Sequence, residues 1–327
     1  MNKGKWARWA DIAVRELVGL QQDEALLVLT DTYVFGEMAM ACFEAGLRIT
    51  PRASLLVFET LTPGERRDLS PSVREAMGAA DAVLSLCETR IMATPSCQEV
   101  LKRGNTRILA TEPRGLEDFL LDGMLAVDRR QILAQGQALG DVLRAGDRAM
   151  VTSAAGTNLQ FRLGGRPVLV DDGTCHEKGH IEFFPGVLVS VAPVEETIDG
   201  VLAVDGSVWP GGTPRTPIMV ELRRGRIERV SGGPEAAVWG EFLESLNDET
   251  VRHLCHFSIG VNPAARLRGN MLEDERFLGA VTCGFGNQDP KFGGKVGHGR
   301  FHLDVVLKSP TIEIDGKRVV HENQLHV

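Results

Sequence analysis

The first 175 residues of this 327-residue chain contain no histidine; all eight lie between His176 and His326. Chemistry that needs an imidazole, as metal ligand or acid–base group, is therefore expected in the second half. No run of 18 apolar residues occurs, so no transmembrane helix is expected. Two lysines stand at the N-terminus, but Asp11 and Glu16 interrupt any signal-peptide core, and a cytoplasmic protein is the expectation. Basic excess is also missing: 36 Lys and Arg against 44 Asp and Glu give a net charge of -8, and the pairs Arg66-Arg67, Arg129-Arg130 and Arg223-Arg224 do not grow into runs. Nucleic acid is not an expected partner. The six cysteines form no CxxC pair, which argues against a disulfide framework or a structural zinc site and for small buried hydrophobes. A GxGxxG motif is absent after the first predicted strand, where TDTYVFGEM stands, and no phosphate loop occurs.

What is present is ordinary globular composition, 43% hydrophobic and 24% charged. The first half alternates helix and strand patterns. Trp6–Leu20, Phe35–Leu47, Pro71–Ala80, Pro95–Arg103 and most of Leu116–Arg144 read as helices. The apolar runs at 25–31, 54–60, 82–89 and 106–113 read as strands. This grammar predicts a Rossmann-like parallel sheet covered on both faces. Near residue 148 it changes to short strands with glycine turns, including hairpins at Arg224-Gly225 and Asp315-Gly316. The expected organisation is an α/β domain over 1–147, followed by an α+β domain of mostly antiparallel strands over 148–327.

Within the second half, His302 and Asp304 stand two apart in Phe301-His302-Leu303-Asp304-Val305-Val306-Leu307. On a strand they share one face, while Phe301, Leu303 and Val305 share the other. That spacing holds two metal ligands side by side; it serves equally for a hydrogen-bonded His–Asp pair. His256 precedes Ser-Ile-Gly-Val-Asn-Pro, a turn signal, and adds a second imidazole, although a structural histidine would fit the same spacing. Two histidines and one carboxylate with open positions suit non-haem Fe(II). The glycine-rich stretch 279–301 reads as a loop at the mouth of the site, with Lys295, His298 and Arg300 as candidate substrate contacts or as solvated loop charges. The segment His176-Glu177-Lys178-Gly179-His180 fits H-E-x-x-H literally, but Gly173, Gly179 and Pro185 argue against the helix that motif needs.

These residues carry a resemblance. The stretches TSAAGTNLQFRLGGRP (152–167), FPGVLVSVAPVEETIDGVLAVDG (184–206), IGVNPAARLRGNMLEDERFLG (259–279) and FHLDVVLKSPTIEIDGK (301–317) resemble the thermophilic aminopeptidases of the aminopeptidase T/S type. Those peptidases use five ligands for two metals. By this resemblance two of the five would fall at Leu188 and Thr282, which cannot serve. HFSIGVNP (256–263) and FHLDVVL (301–307) are instead similar to the HIGWGLQP and CHLDIPL motifs of a divergent branch, the 2,5-dihydroxypyridine dioxygenases of nicotinate degradation.

That branch implies one Fe(II) held by His256, His302 and Asp304, an acid–base carboxylate at Asp171, and homo-oligomeric assembly. Its substrate-binding histidine would fall at Ala93 or Thr94, neither of which ionises; Thr94 is carried forward as a substrate contact. The expected function is mononuclear Fe(II)-dependent, extradiol-type cleavage of a hydroxylated pyridine or related electron-rich aromatic ring by O2. The alternative is a hydrolase that keeps the same three ligands on a single Zn or Mn.

Overall fold

Leu26–Asp31 (β1) is apolar and buried along its whole length, as a central parallel strand must be. The structure, a computed structural model, describes residues 4–61, 68–123 and 125–327. These residues form two compact units, 1–126 with 172–186, and 127–171 with 187–327.

In the first unit β1 pairs with β2 (Ala53–Phe58) and β3 (Ala82–Leu86), and β3 pairs with β4 (Arg107–Thr111). The short strand β8 (Ile181–Phe183) returns to pair with β4, giving the all-parallel order β2-β1-β3-β4-β8. The connecting helices are α2 (Glu37–Leu47), α3 (Pro71–Ala79) and α4 (Pro95–Arg103), and α1 (Gly4–Ile12) precedes β1. The local sequence explains α4. Thr94 accepts a hydrogen bond from Cys97 N as N-cap, Pro95 stands at the first turn, Lys102 and Arg103 lie in the last, and Gly104 takes φ 71° at the exit. Leu27, Leu29, Val73, Met77, Val83, Val100 and Ile108 fill the core beside the sheet.

The second unit begins with α5 (Arg129–Ala145), capped by Asp128. Eight strands form one sheet in the order β12-β11-β10-β6-β5-β16-β17-β18. In chain order these are β5 (Arg148–Thr152), β6 (Asn158–Arg162), β10 (Asp199–Val204), β11 (Ile218–Arg223), β12 (Arg226–Ser231), β16 (Thr311–Ile314), β17 (Lys317–His321) and β18 (Gln324–Leu325). A second, five-stranded sheet has the order β15-β14-β13-β9-β7. Its strands are β7 (Val168–Asp171), β9 (Leu188–Val191), β13 (Leu254–Gly260), β14 (Val281–Gly286) and β15 (His302–Leu307). Two helices, α6 (Pro234–Ser245) and α7 (Met271–Asp274), complete the unit. Val189, Val191, Phe257, Ile259, Val281, Phe285, Leu303 and Val305 project from one face of the five-stranded sheet into a core shared with Val151, Leu159, Phe161, Leu202 and Val220 of the other. Phe161 and Phe257 meet at 5.0 Å between ring centroids. On α5, Gly136 and Gly140 let the helix approach Val170, Val187 and Val189; a Cβ on Gly136 would lie 2.9 Å from Val187.

The α/β class and the change from parallel to antiparallel pairing match the expectation. Both predicted hairpins form, with Arg224 and Gly225 at φ 48° and 77° and Asp315 and Gly316 at 49° and 78°. Two differences have local causes. The helix expected over Leu116–Arg144 is interrupted, because Asp128 caps a new start at Arg129. The unit boundary falls at 126/127 rather than at 147/148: α5 packs with the strands that follow it, and 172–186 rejoins the first unit through β8. No helix among the described residues is long and apolar enough to cross a membrane.

Arg107 ties the start of β4 to the segment before β1. Its side chain is 4% exposed, meets both carboxylate oxygens of Glu24 at 2.7 and 2.6 Å, and donates to Val18 O at 2.9 Å. The guanidinium beside Glu24 holds that carboxyl below its ordinary value. A folded-state value below the unfolded one stabilises at pH above the ordinary carboxyl range, and the contribution is lost as pH falls through the lowered value. Arg107→Met is expected to cost about 3 kcal/mol at neutral pH, as expected when one partner of a buried pair is removed, and to flatten this acid dependence. Denaturant unfolding at pH 7 and pH 4 checks both.

Candidate metal centre

The face of the five-stranded sheet opposite its core is polar, and strand register fixes what stands there. Paired residues in adjacent strands point the same way. One row across the sheet is His256, Gly284 and Asp304; the next holds Gly286 and His302. On the other side come Ser190, Ser258, Thr282 and Val306, then Asp171, Leu188 and Gly260. A β-bulge creates this arrangement. Leu254 pairs with Phe285, but His256 pairs with Gly284, so Cys255 is the extra residue. Simple alternation would place His256 on the same face as Leu254, in the core; the bulge turns it to the polar face.

Three atoms converge there. His256 Nε2 and His302 Nε2 are 3.1 Å apart, and each is 3.3 Å from Asp304 Oδ1. Ligands about 2.1 Å from one ion lie about 3.0 Å apart at right angles and about 3.4 Å apart in a tetrahedron, so the three fit a single metal. Asp304 Oδ1 is buried yet makes no well-aligned hydrogen bond, an orphan that a cation would satisfy. The far side of each ring is occupied. His302 Nδ1 donates to Asn287 O at 2.8 Å, which leaves the Nε2 lone pair of the neutral ring facing the cluster. His256 Nδ1 meets Ser258 Oγ at 3.0 Å, and Ser258 Oγ meets Ser190 Oγ at 2.7 Å.

Gly284 makes room for this. A Cβ on it would lie 2.2 Å from His256 Nε2. Above the row, Phe292 lies parallel to the His256 ring at 5.6 Å, and His302 lies near-parallel to it at 5.1 Å. The loop that carries Phe292 is pinned by Arg166, which donates to Gly293 O and pairs with Glu195 at 2.7 Å; Glu195 in turn accepts from Lys295 N.

Electrostatics agree with the geometry. Burial raises the Asp304 carboxyl, but the two imidazoles outweigh this and hold it far below the usual range. Enclosure lowers His302, and the Asp304 carboxylate more than reverses it, although the ring keeps 38% of its side-chain surface open. Burial lowers His256. A metal ion bound there would compete with a proton for the His302 Nε2 lone pair. Cys255 lies close as well, with Sγ 3.8 Å from His302 Nδ1, and Cys255, His256 and His302 could between them hold an ion. The Asp304 oxygen, buried without a hydrogen-bond partner, is what favours Asp304 over Cys255 as the third member of the set.

The remaining candidates divide. Asp171 stands on the triad's face, with Oδ2 3.8 Å from Arg276 Nη2. Leu188 and Thr282 also stand on that face, both buried, and the Thr282 hydroxyl has no hydrogen-bond partner. Thr94, in the first unit, donates its hydroxyl proton to Ile91 O at 2.6 Å while capping α4. Lys295 pairs with Glu196 at 3.0 Å, and Arg300 donates to Leu246 O and Asn247 O. His298 is exposed on the loop. His176 and His180 lie outside any helix; His176 Nε2 donates to Glu16 O at 2.8 Å.

Sequence reasoning missed four contributors: Gly284, Ser258, Phe292 and Glu275. The last follows α7 and pairs with Arg276. Burial raises its carboxyl to about 7, against the pull of Arg276 and with help from the charges of Asp304 and Asp171. Its only signal in the sequence is the run Leu272-Glu273-Asp274-Glu275-Arg276, which reads like any solvated helix face.

The fold is that of two solved structures. One is wild-type AmpT from Thermus thermophilus, with a TM-score of 0.68 at 18% identity and full coverage of both chains. The other is the 2,5-dihydroxypyridine dioxygenase of Pseudomonas putida KT2440, with a TM-score of 0.79 at 23% identity, covering 99% of this chain and 98% of that one. The sequence carries the assignment further. Residues 12–327 match the NicX family, 2,5-dihydroxypyridine 5,6-dioxygenase, and the chain belongs to that family. The 2,5-dihydroxypyridine 5,6-dioxygenase of Pseudomonas putida KT2440 is 27% identical over 263 residues, 76% of this chain and 72% of that protein. The resemblance read from the motifs is borne out.

Gly284→Ala is expected to fold but to bind a divalent metal at least about 10-fold more weakly, because the new methyl displaces the His256 ring. Ser258→Ala is expected to weaken binding less. Metal retention after equilibrium dialysis, with circular dichroism to confirm the fold, measures both.

Proposed function

We propose that this chain is a ring-cleaving dioxygenase that acts on a hydroxylated pyridine with O2, and that His256, His302 and Asp304 hold a single Fe(II). The observation that carries the reading is the convergence of two Nε2 atoms on an orphaned carboxylate oxygen, on a sheet face where Leu188 and Thr282 offer no ligands for a second metal. Family membership and the relative, a 2,5-dihydroxypyridine 5,6-dioxygenase, support the substrate class. Six free, buried cysteines fit a reducing cytoplasm, and homo-oligomeric assembly remains part of the reading.

Fe(II) bound there would supply redox chemistry and open positions for oxygen ligands. The protein's own part is orientation and proton handling. The Asn287 carbonyl fixes the tautomer of His302, and the Ser258 hydroxyl holds the outer nitrogen of His256. Phe292 shields one side of the cluster from water. Asp171 accepts the proton of the ring hydroxyl: the O–H bond breaks, its electron pair stays on the ring oxygen, and the carboxylate becomes a neutral acid. Among the loop residues we place His298 first as a substrate contact, since Lys295 and Arg300 already hold intramolecular partners.

Protein purified without oxygen is expected to carry about one equivalent of iron per chain and to consume O2 with 2,5-dihydroxypyridine or a close hydroxypyridine. His256→Ala is expected to lose the iron and keep the fold. Two equivalents of zinc together with peptide cleavage would overturn the reading, and one zinc or manganese with hydrolytic activity would replace it with a mononuclear hydrolase.

A further inference from the structure

One buried guanidinium beside the triad faces two carboxylates. Arg276 is 1% exposed. Its Nη1 donates to Leu272 O at 2.7 Å and pairs with Glu275, while Nη2 lies 3.8 Å from Asp171 Oδ2. Strand register puts Asp171 on the triad's face of the sheet, in the row of Leu188 and Gly260. The main chain of Glu275 and Arg276 is pressed onto that same row, since a Cβ on Gly260 would lie 2.7 Å from Glu275 O and 2.7 Å from Arg276 C. Between this row and the triad lies the buried Thr282 hydroxyl, which has no hydrogen-bond partner.

Arg276 faces both carboxylates, and the charge of Asp304 acts on Glu275 as well. Two like charges sharing one site drive one of the pair to keep its proton. Glu275 is the more enclosed of the two, with 16% of its side chain exposed against 22% for Asp171.

We infer that Glu275 and Asp171, joined through Arg276, form an acid–base pair for ring cleavage, in which Asp171 is the ionised base and Glu275 the protonated acid. This rests on the hydroxylated-ring substrate proposed above. The ring hydroxyl proton passes to Asp171, and the electron pair of the broken O–H bond remains on the ring oxygen. Glu275 gives its own proton to an oxygen of the opening product and becomes a carboxylate. Transfer of the proton from Asp171 to Glu275 restores the pair, with no net proton gained or lost. Arg276 is a positioning residue that keeps both carboxylates in place.

The charged groups facing Glu275 are Arg276, Asp304 and Asp171. Removing the charge of Asp171 leaves Arg276 to neutralise Glu275 more fully, so the Glu275 proton is lost at lower pH.

The test has a metal-free arm and a turnover arm. Infrared difference spectra of metal-free protein are expected to show a protonated carboxyl that titrates near neutral pH, disappears in Glu275→Gln and titrates at lower pH in Asp171→Asn. In turnover, Glu275→Gln is expected to lower kcat about 100-fold with little change in KM, and to abolish the alkaline fall of the pH profile. Glu275→Asp, which keeps an acid, is expected to retain that fall at reduced kcat. A carboxyl signal that survives Glu275→Gln, no such signal in the parent protein, or an unchanged pH profile in Glu275→Gln would each overturn the pair. If the parent protein consumes no O2 with any hydroxylated pyridine, the ring-cleavage reading fails, and the infrared titration still decides whether the two carboxyls share a proton.

Discussion

Two imidazole nitrogens and a carboxylate oxygen lie within 3.3 Å of one another, and lone pairs packed this closely need a shared proton or a cation among them. The rest of the second unit is arranged around that requirement. The bulge at Cys255 turns His256 out of the core, Gly284 removes the one Cβ that would collide with it, and Asn287 and Ser258 occupy the outer ring nitrogens. Each device belongs to sheet pairing or to a backbone carbonyl rather than to a flexible surface loop. The apolar face behind it, with Phe257, Phe285, Leu303 and Val305, anchors the same three strands to the core.

A scaffold shared with AmpT is thus compatible with a different inner surface. Positions 188 and 282, where the resemblance to the aminopeptidases would place ligands, lie on the polar face of the sheet and hold a leucine and a threonine. The buried Leu188 brings no charge to that face, and a branched aliphatic side chain suits a strand position. Two acids, Asp171 and Glu275, both lie against one arginine, Arg276.

Much of this was legible beforehand. Continuous apolar runs marked the parallel strands, Arg224-Gly225 and Asp315-Gly316 marked the hairpins, and the i, i+2 spacing of His302 and Asp304 placed both on one face. The less legible features share a cause. A bulge is a change of register that no single residue announces, so His256 could be read as a ligand only through its resemblance to known motifs. Gly284 and Gly286 look like any other glycines of the stretch 279–301 until their partners across the strand are known. Lys295 and Arg300 read as free charges because the acid and carbonyl groups that hold them, Glu196, Leu246 and Asn247, come from distant segments. The three-residue strand β8 is too short to carry a period, and its return to the first unit is a tertiary event.

The triad sits on two strands, β13 and β15, held either side of β14 at a spacing of about 4.8 Å per strand that main-chain hydrogen bonds set. Its geometry is therefore inherited from the sheet and exists before any ion arrives. This differs from small metal domains, where the ion supplies the folding energy and chelation unfolds the chain. An ion held at such a site would be the tenant of a finished building: the protein would stand without it and could be emptied, stored and reloaded.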